Sequence, residues 1–224
     1  MDVYRIINSI FNSNTFIVYE DEKAIIIDIG DFRPLLKFIE ESNLKIEALF
    51  ITHTHYDHIY GIREFIIKFP NIPIYTSEFG KAALNKSNWN FSRYHNDEIL
   101  IDSDSIKVLS DGTRIPVLGE YEIESIETPG HDKSSLSFRI GDLLFTGDSY
   151  IPGVKVIASF PNSNKEEARK WYEKLKEMSQ NMNLYPGHGD IIDRKYTGGS
   201  KNSILQFPHS KTSSSCCSFL LRLK

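Results

Sequence analysis

Apolar and polar positions along this chain alternate between strand-like and helix-like periods. Near the start, Tyr4-Arg5-Ile6-Ile7, Thr15 to Tyr19 and Lys23 to Ile29 read as strands. The short polar link Glu20-Asp21-Glu22 between the last two suits a hairpin. Asp31-Phe32-Arg33-Pro34 then reads as a helix start, with proline in the first turn and Leu35, Leu36 and Ile39 on one face. Ile46 to Thr52 is a short buried strand, after which Ile59, Ile62, Phe65, Ile66 and Phe69 recur at helical spacing. Ile72 to Tyr75 is predicted as a strand and Ser77 to Lys86 as a helix. Ser87 to Tyr94, polar and aromatic without a period, reads as a loop.

From Glu98 to Phe145 the pattern is strand-rich, with turns at Asp111-Gly112, Gly119 and Gly141-Asp142. Tyr150 to Asn162 is irregular and contains Pro152 and Pro161. Ser163 or Asn164 then caps a helix running to about Met178, with Glu166 and Glu167 in its first turn. Strands and helices in both halves fit an α+β chain folded as a four-layered αββα sandwich. In that architecture two sheets bury their inner faces against each other and helices cover the outside.

A length of 224 residues suits one domain with a sizeable core, expected over 1–195. From Tyr196 the chain becomes Ser/Lys-rich, as in Thr197-Gly198-Gly199-Ser200-Lys201 and Ser210 to Ser215, so 196–224 is expected to be a flexible polar tail. Apolar residues make up 40% and charged residues 25%, an ordinary globular composition. Net charge is −4 with no long basic run, which argues against a nucleic-acid partner. Met1-Asp2-Val3-Tyr4-Arg5 lacks a secretory pattern, and no apolar run reaches bilayer-spanning length. The two cysteines, Cys216 and Cys217, are adjacent, which excludes a disulfide scaffold. The expectation is a cytoplasmic protein with a small-molecule substrate and no membrane partner.

The chemistry concentrates in Thr52-His53-Thr54-His55-Tyr56-Asp57-His58, where four metal-capable side chains fall within six residues. The block sits on a strand-to-helix turn, where side chains can converge. Imidazole and carboxylate suit zinc and related metals. Three further candidates follow apolar strands and a glycine: His131 in Thr128-Pro129-Gly130-His131, Asp148 in Phe145-Thr146-Gly147-Asp148, and His188 in Pro186-Gly187-His188. Glycine lets the backbone turn sharply and approach closely at a strand end. Seven such residues suffice for two metals. His95 and His209, by contrast, lack ligand-type neighbours in the sequence.

These segments, in this order over roughly Phe16 to Asp190, resemble the metallo-β-lactamase-fold hydrolases, and among them the glyoxalase II-like thioesterases. Ile25-Ile26-Ile27-Asp28-Ile29-Gly30 is similar to the family's strand ending in Asp-x-Gly. The resemblance implies that His53, His55 and His131 hold a first metal. Asp57, His58 and His188 would hold a second, Asp148 would bridge both, and Asp28 would brace the histidine-rich loop. It further implies two divalent ions, zinc first and iron or manganese otherwise, activating a bridging hydroxide that attacks an acyl thioester or activated ester. Asp57 and Asp148 would fix the metals and offset their charge.

No separate nucleophile is needed in such a scheme, so Ser134, Ser135 and Ser149 are not catalytic candidates. Substrate contacts are expected from Trp89 to Tyr94, Lys133 to Ser135 and Tyr150 to Phe160. Glyoxalase II enzymes carry a helical C-terminal domain that holds glutathione, which this short polar tail does not match. His58, and the lack of a cysteine near Asp148, set the chain apart from the best-known true lactamases. Lactonases share the full ligand set and are the nearest rival. Ribonuclease relatives share it too but add a nucleic-acid exosite, and flavodiiron oxidoreductases add a flavin domain. From other classes, an iron persulfide-type dioxygenase or a non-catalytic metal-binding protein are the alternatives.

Overall fold

The computed structural model describes residues 1–194. The expected tail over 196–224, with Cys216, Cys217 and His209, lies outside the described residues, as does the last residue of the expected domain. The first sheet has strand order β1 (Asp2–Ile7), β2 (Asn14–Glu20), β3 (Lys23–Ile27), β4 (Lys45–Phe50), β5 (Ile74–Thr76) and β6 (Ile106–Val108). The β1–β2 and β2–β3 pairs are antiparallel, and the pairs from β3 to β6 are parallel. The parallel steps are crossed by helices α1 (Phe32–Glu41), α2 (Tyr56–Ile59), α3 (Ile62–Lys68) and α4 (Glu78–Leu84). The second sheet contains β7 (Arg114–Val117), β8 (Tyr121–Glu127), β9 (Leu136–Ile140), β10 (Leu143–Gly147) and β11 (Asn183–Pro186) in spatial order 7-8-9-10-11. Helix α5 (Lys165–Met178) makes the crossover to β11, which pairs with β10 in parallel.

Side-chain alternation assigns the layers. On β3, Ala24 and Ile26 pack with Leu35, Ile39, Ile62 and Phe65 of α1 and α3. The alternate residues Ile25 and Ile27 join Phe16, Val18 and Phe50 against Ile123, Leu136, Phe138 and Phe145 of the second sheet. Leu144, on the far face of β10, packs with Leu175 of α5. Both faces of β3 are therefore buried, which is why Ile25-Ile26-Ile27 reads as an unbroken apolar run. Three apolar layers between four layers of structure give the expected αββα sandwich. Aromatic pairs join the two sheets at its centre, with Phe16–Phe145 and Phe50–Phe138 ring centroids at 5.5 and 5.4 Å.

Local signals account for most boundaries. Asp21, in the left-handed region (φ 52°), makes the tight β2–β3 turn. Ser77 caps α4 by accepting from Gly80 N, and Asn164 caps α5 by accepting from Glu166 N and Glu167 N. One expectation needs correction: the helix read up to Phe69 is two pieces, α2 and α3. Ile29 N donates to the His58 carbonyl and Gly61 N donates to the Ile29 carbonyl, so the chain after β3 takes backbone groups that an unbroken helix would use. Glu98 to Asp104 is not a strand either. Ile101 N donates to Leu84 O and Ile99 N to Ser92 Oγ, which ties this segment to the end of α4 and its following loop. Ser92–His95 forms a short 3-10 turn within the expected loop. Among the described residues no helix is long and apolar enough to cross a membrane.

Candidate metal centre

Loops leaving the C-terminal ends of β3, β4, β8, β10 and β11 meet at one edge of the sandwich. Asp28 follows β3 with a left-handed backbone (φ 59°) and is 2% exposed. Its Oδ1 accepts from Thr52 N at 2.7 Å, and its Oδ2 accepts from Thr52 Oγ1 at 2.7 Å and from His58 Nδ1 at 2.9 Å. One buried carboxylate thus fixes both ends of the histidine-rich loop. From the other side, Leu136 N donates to Thr52 O and Thr54 N donates to Ser134 Oγ, tying the loop to the second sheet. The glycines before the candidate ligands serve close approach. A Cβ on Gly147 (φ 49°) would meet Thr52 Oγ1 at 2.6 Å, and one on Gly187 would meet Asp148 Oδ1 at 2.3 Å.

All seven candidate ligands come together. His53, His55 and His131 form one compact group; His53, His58 and Asp148 form a second; and Asp57, His58 and His188 form a third. Asp148 lies between the ends of this cluster, with Oδ1 3.5 Å from His58 Nε2 and Oδ2 3.6 and 3.5 Å from His131 Nε2 and His188 Nε2. Asp57 Oδ2 is 3.2 Å from His188 Nε2 and 3.4 Å from His58 Nε2.

The hydrogen-bond network assigns a direction to four of the five rings. His131 Nδ1 donates to Ile157 O, His188 Nδ1 to Phe11 O, and His58 Nδ1 to Asp28. Thr52 Oγ1 gives its only proton to Asp28, so it accepts from His53 Nδ1 at 3.2 Å. The Nε2 atoms of His53, His58, His131 and His188 therefore point inward. His53 Nε2 is buried with no hydrogen-bond partner, as is Asp148 Oδ1. His131 Nε2 meets His55 Nδ1 at 3.0 Å, and His58 Nε2 meets His188 Nε2 at 3.2 Å. Nitrogen lone pairs this close repel unless a proton or cation lies among them, and buried orphan acceptors cost free energy. Such a donor set fits zinc, iron or manganese.

The titration behaviour agrees. Burial, reinforced by the neighbouring histidines His58 and His55, holds His53 well below the ordinary imidazole range. Burial and His55 push His131 down to about 4. Burial alone would also lower His58, but Asp57, Asp148 and Asp28 outweigh it and raise that group to about 10. Burial works to raise Asp57, yet His58 and His188 hold it below the usual carboxylate range. The centre is a place where charge is poised and a cation can replace a proton.

One participant was not read from the sequence. Asp132, fully buried, presents Oδ2 3.4 Å from His55 Nε2, while its Oδ1 accepts from Ser134 N and Ser134 Oγ. The available signal was a carboxylate beside His131 with serine two positions on, a turn-forming pattern. Ser134 Oγ accepts from Thr54 N, Ser135 Oγ accepts from Asp132 N, and Ser149 Oγ donates to Thr128 O. Of the three expected substrate loops, Phe91 and Phe160 reach His55, with ring centroids at 4.7 and 5.3 Å. Trp89 instead stacks on Phe79, and Lys133 lies over that same ring. His95 stacks on Tyr56 at 4.2 Å and belongs to none of the three ligand groups.

The family model described as the Metallo-beta-lactamase superfamily matches residues 9–188. A probable metallo-hydrolase of Streptococcus pyogenes serotype M6 is 29% identical over 195 residues, covering 84% of each chain. The crystal structure of the BLEG-1 B3 metallo-beta-lactamase superposes with a TM-score of 0.77 at 22% identity, over 85% of this chain and 93% of that one. The structure of TTHA1623 in a di-iron-bound form gives a TM-score of 0.73 at 20% identity, over 84% and 93%. At these identities the structural likeness concerns the fold.

Proposed function

This chain belongs to the metallo-beta-lactamase superfamily, and from that premise we propose that it is a binuclear metal-dependent hydrolase of a small acyl thioester or related activated ester. The observation that carries the reading is the set of seven side chains whose ring nitrogens and carboxylate oxygens converge, with His53 Nε2 and Asp148 Oδ1 buried and unpartnered among them. His53, His55 and His131 would hold one ion, Asp57, His58 and His188 the other, with Asp148 placed to touch both. A neighbour of the same fold described in a di-iron-bound form supports two ions. When bound, two such metals supply Lewis acidity toward a carbonyl oxygen and lower the pKa of water.

The chain's own residues supply the rest. Asp28 and the Ile157 and Phe11 carbonyls hold three imidazoles in one tautomer each. Asp57 and Asp148 offset the metals' positive charge, and their position lets either pass a proton toward a leaving group. His53 and His58 are buried, which strengthens the charge interactions around them. A small substrate in the cytoplasm is favoured over a polyanion because the chain carries a net charge of −4. The thioester preference rests on the sequence resemblance of Thr52 to His58 and Phe145 to Asp148 to the glyoxalase II-like branch.

A panel of S-lactoylglutathione, other thioesters, acyl-homoserine lactones and single-stranded RNA tests the reading on metal-loaded protein. Thioester turnover is expected. Turnover of lactones alone would move the assignment to a lactonase, and turnover of RNA alone would overturn it.

A further inference from the structure

Two loops border the metal centre, and one of them is apolar where loops are ordinarily polar. Between Tyr150 and Phe160 there is neither helix nor strand, and Lys155 is the one charged residue. Val154 and Ile157 in this stretch are 49% and 42% exposed. The stretch is also fastened to the centre, since Ile157 O accepts from His131 Nδ1 and Ser163 Oγ donates to His131 O.

The facing loop delivers Phe91 in the left-handed region (φ 63°), which is strained for a bulky side chain. Its neighbours enforce that conformation. Fully buried Asn90 donates to Ala83 O and Ile99 O and accepts from Ser92 N, while Ser92 Oγ accepts from Ile99 N. Strain that is over-determined by buried hydrogen bonds belongs to positions where a side chain must be aimed. The ring so aimed lies 4.7 Å from His55 and 5.2 Å from Phe160, at 52° to it, and Phe160 in turn lies 6.0 Å from His131. Tyr94, 55% exposed, extends the same surface outward.

We propose that Phe91 and Phe160 form a subsite for the acyl arm of the substrate, one that takes an aryl or branched aliphatic group in preference to a small or polar one. A carbonyl at the centre has its acyl arm and its leaving group on opposite sides. The aromatic pair occupies the His55–His131 end, whereas the Asp57–His188 end has carboxylate and imidazole for a departing polar group. The inference rests on the hydrolase reading for its substrate class, so its first test is binding rather than turnover.

Calorimetric binding of phenylacetate and of acetate to the metal-loaded full chain compares the two arms through a shared carboxylate. Phenylacetate is expected to bind at least about tenfold more tightly, the effect of burying a phenyl group. Phe160→Leu and Phe91→Asn, which tolerates the left-handed backbone, should bring the ratio to within about threefold, with metal content unaltered. Equal affinities in the parent protein, or a ratio that survives both substitutions, overturns the subsite. A thioester series varied on the acyl side and then on the thiol side adds a second readout, and a preference that follows only the thiol side also overturns it. Tight phenylacetate binding without hydrolysis of any ester or thioester would uphold the subsite while removing the hydrolase reading.

Discussion

Asp132 Oδ2 lies 3.4 Å from His55 Nε2, and each of these two buried atoms is without a closer hydrogen-bond partner. The contact orients the imidazole so that Nδ1, not Nε2, faces His131 at 3.0 Å. Asp28 and His58 form the matching pair at the other end of the centre. A carboxylate behind a ligating imidazole fixes its tautomer and raises its basicity.

Replacing Asp132 with alanine should therefore weaken metal binding at the His53–His55–His131 group by about 10- to 100-fold. Asp132→Asn, which keeps an acceptor oxygen, should recover part of the loss. Chelator competition with the loaded protein measures both, and unchanged affinity in the alanine variant would show that Asp132 is only a turn former.

Asp28→Ala should cost stability as well as metal. Thr52 N, Thr52 Oγ1 and His58 Nδ1 all lose their acceptor in a fully buried place. Leaving such donors unmet costs about 1–3 kcal/mol for each one that cannot find a new partner, so a loss of about 3 kcal/mol is expected. Denaturant unfolding of the metal-free variant checks this apart from any ligand effect.

Asp148→Ala should be more damaging to metal content than Asp57→Ala, because Asp148 approaches His58, His131 and His188 whereas Asp57 approaches only His58 and His188. Both variants should lose turnover by orders of magnitude, about 100-fold or more for removal of a ligand or its support. Elemental analysis beside thioester assays tests the ordering. Near-normal turnover in Asp148→Ala would remove its bridging role.

Metal uptake should release a proton at neutral pH. Asp57, Asp148 and Asp28 raise His58 to about 10 against the effect of burial, so the metal-free protein is expected to hold a proton there. Ligation needs the neutral ring, so this proton must leave. Affinity should then rise with pH, by about tenfold per unit for one released proton, until pH passes through about 10. Calorimetry in buffers of different ionisation enthalpy counts the protons, and a count of zero at pH 7 would contradict the assignment.

The residues that were legible in advance share one property: their role follows from local order. Ile25-Ile26-Ile27 could be read as an apolar strand, and His53 to His58 as converging ligand-type side chains, from short stretches of chain. What escaped depends on distant partners. The break at Gly61 comes from Ile29, 32 residues earlier in the chain, taking up the helix's backbone groups. Asp132 gains its meaning only from His55, which the topology carries across from the other sheet. Phe91 reads as one aromatic among several until Asn90 and Ser92 are seen to hold it left-handed.

A two-metal hydrolytic centre has a definite stoichiometry. The most direct test is the number of metal ions per chain in gently purified, active protein, determined by elemental mass spectrometry against protein concentration. Two ions are expected, with activity lost as either is removed. A stable, fully active form with a single ion would contradict this expectation.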